Sequence, residues 1–157
     1  TQGVSSAASD VYKRQVLCSP VNGKATMLEN VHDEMFSEKM LGDGIAVIPD
    51  ENELRSPVEG TVTMIYETQH AIGIQTDLGT DILIHIGIDT VQLHGVPFQT
   101  KAKVGDRVKQ GDLLTIVDWD MIRNKNMDVI VPIIVTNKRV DQMKTNGDIR
   151  VGSLCLR

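Results

Sequence analysis

From Val16 onward, short apolar runs are broken by Gly, Pro, Asn and Asp roughly every eight to twelve residues, the spacing of an all-β domain. The pattern predicts strands at 16–19, 24–30, 45–48, 54–57, 61–67, 71–76, 81–86, 107–110, 113–117, 130–136 and 149–156. Two segments, "MFSEKML" (35–41) and "DMIRNKNM" (120–127), read as short helical turns. "TDLGTD" (76–81) is a hairpin signal between "AIGIQ" and "ILIHI". It places His70 and His85 on neighbouring antiparallel strands. The stretch "DILIHIGIDTVQL" (81–93) reads as a buried strand with one imidazole in it.

The pattern also repeats. "SPVNGKATML" (19–28) and "SPVEGTVTMI" (56–65) agree at six of ten positions, 37 residues apart. Units of this size cannot bury a face alone and usually close on one another. "VGDRVKQGDLL" (104–114) adds the Gly-Asp turns of a further hairpin. The predicted fold is all-β, a pseudo-symmetric antiparallel β-sandwich or compact barrel with short helical turns.

Composition narrows the classes. With 157 residues, 41% of them hydrophobic, the chain suits one well-cored domain. A net charge of -5 without a basic stripe argues against nucleic acid, and only 3% aromatic residues leave few stacking platforms. No apolar run approaches the roughly 18 residues of a membrane-spanning helix, so direct membrane insertion is not expected. Cys18 and Cys155 form no C-x-x-C and read as small buried residues of a cytoplasmic protein. Residues 1–15, "TQGVSSAASDVYKRQ", are small and polar and are expected to be disordered. They also resemble a translated sequencing-adapter tail, so the domain is taken as 16–157.

Four histidines are the candidate chemistry. His32 and His94 read as surface residues of loops and turns. An isolated His on an apolar strand is more often a hydrogen-bonded core residue than a functional one. A pair on adjacent strands is different, because two facing imidazoles are not both protonated cheaply in a low-dielectric pocket. Three chemistries use such a pair. Zinc needs more ligands than two, and Asp89, four residues after His85, offers a third. General acid–base work needs a cleft. In phosphoryl carriage one neutral ring attacks phosphorus while the other donates an N–H, and a hydroxyl such as that of Thr68 holds the supporting ring in the right tautomer.

"SPVEGTVTMIYETQHAIGIQTDLGTDILIHIGIDTVQLHGVPFQTKAKVGDRVKQGDLLTIVDWDMI", with "VPIIVTN" after it and "ENVHDEMFSEKMLGDGIAVIP" before it, resembles the glucose-type IIA domain of the bacterial sugar phosphotransferase system. The resemblance runs over about residues 16–156, and its most specific motifs are "HIGIDTVQLHG" and "ETQHA". It implies an antiparallel β-sandwich built on a duplicated hybrid motif. It implies that His85 is the phosphorylated histidine, that His70 supports it, and that Thr68 orients His70. It places Asp33, Met35, Phe36, Ile45, Ile65, Tyr66, Ile72 and Val91 on a shallow, largely apolar rim for partner proteins. The implied partners are the phosphocarrier HPr and a IIB domain of a sugar permease, separate or fused to this chain at the inner face of the membrane. No cofactor is implied. Relatives often have Phe where this chain has Ile72 and Leu83.

Three rivals share parts of the pattern. A lysostaphin-like zinc endopeptidase has the hairpin texture and H-x-x-x-D but needs an H-x-H pair downstream, and no His follows His94. Biotinyl or lipoyl carriers need a lysine at a hairpin tip between apolar residues, and none stands out. A regulatory binding module of the same fold would not need the His pair. Zinc shared between His70, His85 and a partner's carboxylate is a further chemistry the pair permits.

Overall fold

In a computed structural model the described residues are 17–140, 147–151 and 154–156. The expectations for residues 1–15, and for the side chain of Cys155, lie outside them. Among the described residues there are thirteen strands: β1 (Leu17–Cys18), β2 (Gly23–Met27), β3 (Asp43–Pro49), β4 (Glu53–Arg55), β5 (Gly60–Ile65), β6 (Ala71–Gln75) and β7 (Asp81–His85) form the first half. β8 (Phe98–Thr100), β9 (Arg107–Val108), β10 (Leu113–Val117), β11 (Val131–Val135), β12 (Gly147–Ile149) and β13 (Leu154–Leu156) complete them. Among the described residues, helix is confined to α1 (Glu34–Ser37), α2 (Trp119–Asn124) and two 3-10 turns, Leu28–Asn30 and Thr90–Leu93.

An eight-stranded sheet runs β12-β2-β3-β11-β7-β6-β5-β9, and a three-stranded sheet runs β4-β10-β8. β1 pairs with β13, and the ladders between named strands are all antiparallel. The fold is a β-sandwich. One apolar cluster joins inward residues of the large sheet, among them Ile45, Ile72, Ile84 and Ile133, to Leu54, Phe98, Leu114 and Val117 of the small sheet. Ile and Val dominate because β-branched side chains pack well on pleated faces. The expected strand at 24–30 stops at Met27 and tightens into the first 3-10 turn, while the expected 149–156 is two strands. β8 is a three-residue strand just after Pro97, too short for a periodicity to show.

The repeat is structural. Ser19 and Ser56 are both buried, and each hydroxyl donates 2.6 Å to the carbonyl two residues on, Val21 and Val58. The two copies also exchange main-chain bonds: Cys18 N–H donates to the Pro57 carbonyl (2.9 Å), and Arg55 N–H to the Pro20 carbonyl (2.7 Å). Each Ser-Pro corner therefore satisfies the other, which is how two half-units close into one core.

The large sheet is covered on part of its outer side as well. Along β3 the odd positions Ile45 and Val47 face the main core, while Ala46 faces out. A second, smaller cluster forms there from Leu28, Val31, Phe36, Ala46, Ile88 and Ile134. It pins the segment 28–41 across the sheet. Asp33 accepts from the Met35 N–H (2.8 Å) as N-cap of α1, which starts the helical turn that delivers Phe36.

Candidate functional site

The β6–β7 hairpin builds the site. Its turn is closed by Gly79 N–H to the Thr76 carbonyl (3.0 Å) and by Thr80 N–H to the Thr76 hydroxyl (3.1 Å). The resulting register sets Ala71 opposite His85, Gly73 opposite Leu83 and Ile72 opposite Ile84. β7 is not buried on both sides, as its run of apolar letters suggests. Ile82 and Ile84 enter the main core, while Leu83 and His85 stand partly exposed on the opposite face. That alternation turns the His85 ring out of the core.

His70 precedes β6 and is joined to the end of β7 by Ile86 N–H donating to its carbonyl (2.7 Å). It enters from a tight turn in which Gln69 N–H donates to the Tyr66 carbonyl (2.7 Å) and Gln69 adopts a left-handed φ of 59°. Four rings then line up. Phe36 lies 4.9 Å from His85, His85 lies 5.1 Å from His70, and His70 lies 5.0 Å from Tyr66, centroid to centroid. The two imidazoles meet edge to face at 74°. They open on a shallow pocket of about 540 Å³, lined also by Asp33, Met35, Leu41, Glu67, Thr68, Leu83, Asp89 and Val91.

Hydrogen bonds distinguish the two rings. His85 Nδ1 is 2.7 Å from the Gly87 carbonyl, which only accepts, so Nδ1 carries the proton. A neutral His85 then has its lone pair on Nε2. His70 Nδ1 is 2.6 Å from the Thr68 hydroxyl, a partner able to donate or accept. Burial lowers the pKa of His70 to about 4, with the His85 charge adding to the effect. Burial also lowers that of His85, outweighing the Gly87 hydrogen bond and the Asp33 and Asp89 carboxylates that favour its charged form. Both rings are therefore neutral near pH 7. Among the described residues, no three His, Cys, Asp or Glu side chains gather as a metal-ligand set.

Residues 15–140 match the family model described as phosphoenolpyruvate-dependent sugar phosphotransferase system, EIIA 1. The chain belongs to this EIIA family. Its structure is similar to that of the glucose permease IIA from Mycoplasma capricolum, with a TM-score of 0.87 and 36% identity over 92% of this chain and 96% of the other. A glucose-type EIIA domain of the phosphotransferase system, it has a phosphoryl-transfer role in sugar transport, and its fold is the β-sandwich expected from the sequence.

Within this EIIA domain, His85, His70, Thr68, Asp33, Met35, Phe36, Tyr66 and Val91 all line one pocket. Three expected rim positions do not. Ile45 and Ile72 are fully buried in the main core, and the partly buried Ile65 packs against that core, because all three occupy inward positions of their strands. Phe36 is a wall more than a rim residue, being only 1% exposed. Leu41 and Glu67 were not anticipated. Glu67 opens the "ETQHA" motif without having been given a role there, whereas nothing local marks Leu41, which arrives through the fold of segment 28–41. His32 and His94 are exposed, as expected, and His32 is 3.4 Å from Asp128. Cys18 is buried, and burial raises its thiol pKa. No helix among the described residues is long and apolar enough to cross a membrane.

Proposed function

We propose that this EIIA domain accepts a phosphoryl group on His85 Nε2 from the phosphohistidine of HPr and passes it to a cysteine of a IIB domain of a sugar permease. The observation that carries this reading is the hydrogen bond from His85 Nδ1 to the Gly87 carbonyl, which leaves Nε2 as the nucleophile. The Nε2 lone pair forms the new P–N bond as the donor's P–N bond breaks and its electron pair returns to the donor ring. Nδ1 keeps its proton, so the phosphorylated ring is imidazolium-like and remains a good leaving group. In the second step the IIB thiolate forms a P–S bond and His85 Nε2 recovers its lone pair.

His70 supports the intermediate. With the Thr68 hydroxyl donating to His70 Nδ1, the ring proton sits on Nε2 and is free to donate to the phosphoryl oxygens. Burial keeps the unphosphorylated pair neutral, so no ammonium-like charge consumes either lone pair. Met35, Tyr66 and Val91 are exposed around the rings and give partner proteins an apolar surface that excludes water from the reacting group. Donor and acceptor use this face in turn, at the cytoplasmic side of the membrane.

Labelling from phospho-HPr tests the assignment. His85→Ala is expected to take no label. His70→Ala is expected to take label but to pass it to IIB about a hundredfold more slowly, the cost of removing one preorganised donor. Label on the His85→Ala protein would overturn the assignment.

A further inference from the structure

We propose that Thr90 is a positioning residue that sets which nitrogen of His85 carries the proton. The inference rests on the reading of His85 Nε2 as the nucleophile. Gly87 adopts φ +77°, and its carbonyl is the acceptor for His85 Nδ1. A glycine there lets two successive peptide planes rotate readily, so the carbonyl must be held by its surroundings.

Three bonds hold the two peptide planes on either side of Gly87. Gly87 N–H donates to the Ile130 carbonyl (3.0 Å), and Ile88 N–H donates to the Asp128 carbonyl (3.0 Å). The Thr90 hydroxyl donates to the Ile86 carbonyl (2.6 Å). The plane between Ile86 and Gly87 is therefore tied at its N–H by β11's approach and at its C=O by Thr90. Two of the ties are main chain, and Thr90 is the one a substitution can remove. Its methyl also closes the space beside Gly87, where an added Cβ would come within 2.6 Å of Thr90 Cγ2. The Thr90 side chain is fully buried, and it is brought back over Ile86 by Asp89, at φ 62°, which opens the 3-10 turn Thr90–Leu93. Without the hydroxyl, the Ile86–Gly87 plane loosens, the Gly87 dihedrals shift the next plane, which carries the Gly87 carbonyl, away from Nδ1, and His85 moves toward the Nε2–H tautomer. That tautomer has no lone pair on the attacking nitrogen.

The full chain labelled with 15N reports the protonated ring nitrogen directly by NMR, with acceptance of phosphate from phospho-HPr measured alongside. Thr90→Val keeps the volume and loses the hydroxyl. It is expected to convert His85 from the Nδ1–H form to a mixture, and to slow acceptance at least about tenfold, in line with the cost of misplacing a reacting group. Thr90→Ser keeps the hydroxyl and is expected to retain the Nδ1–H form. Should Thr90→Val not fold, Thr90→Ser against Thr90→Ala makes the same comparison. An unchanged His85 tautomer in the folded variant lacking the hydroxyl overturns the inference. A wild-type His85 that is Nδ1–H yet takes no phosphate overturns the functional reading instead, and leaves the tautomer comparison standing.

Discussion

Acidification below about pH 6.5 is expected to destabilise the EIIA domain, and His70 to be a main cause. In the unfolded chain its ring titrates near 6.5, whereas burial in the native fold holds it to about 4. Between those values the unfolded state binds a proton that the native state refuses. Unfolding free energy therefore falls as pH drops through about 6.5, and the loss levels off near 4. At 1.36 kcal/mol per unit, the full effect is about 3 kcal/mol, of which about 2 kcal/mol is reached by pH 5. The perturbation that isolates it is His70→Gln, which keeps a polar side chain and removes the titration. Urea denaturation of both proteins at about pH 7.5 and about pH 5 gives four free energies. The carboxylates contribute to both proteins and largely cancel in the double difference, which then reads His70 together with its coupling to the neighbouring His85. Wild type is expected to lose roughly 2 kcal/mol more than the variant. A double difference below about 0.5 kcal/mol would mean that the native ring titrates like a solvated one, and the argument for a buried neutral pair would fail.

Removing the wall behind His85 gives a second test. Phe36→Ala is expected to cost about 3–5 kcal/mol in urea denaturation, the range for a buried Phe. Because burial is the leading cause of the lowered His85 pKa, an NMR titration of the same variant is expected to find it moved up toward the ordinary imidazole value. An unmoved His85 titration would exclude Phe36 as the shield. The matching Ser-Pro corners give a third: Ser19→Ala and Ser56→Ala remove equivalent buried bonds of 2.6 Å, and each is expected to cost about 1–2 kcal/mol. A cost for one more than twice the other would show that the two corners are not mechanically equivalent.

Much of the site was legible because its key steps are local. The "TDLGTD" turn at 76–81 and the alternation on either side of it bring His70 beside His85, and Thr68 lies only two residues from the ring it meets. The repeat at 19–28 and 56–65 marks two units that close on one another, and the structure adds that each buried Ser satisfies its hydroxyl at the carbonyl two residues on. Errors fell where side-chain direction mattered. Ile45, Ile65 and Ile72 were expected on the rim, yet one apolar letter looks the same on either face of a strand. Only pairing decides which face it joins.

The amino-acid order by itself determined the all-β class, the hairpin and the meeting of two imidazoles, because turn chemistry and period-two alternation act over a few residues. The tertiary structure decided what those imidazoles are. Phe36 comes from 49 residues upstream of His85 in the sequence through the second apolar cluster, and it shields the ring from water. The Ile130 and Asp128 carbonyls steady the loop whose Gly87 carbonyl assigns the proton to Nδ1. Desolvation and hydrogen-bond direction depend on which distant segments pack together, so protonation and tautomer are written in the fold and not in the spacing of the histidines.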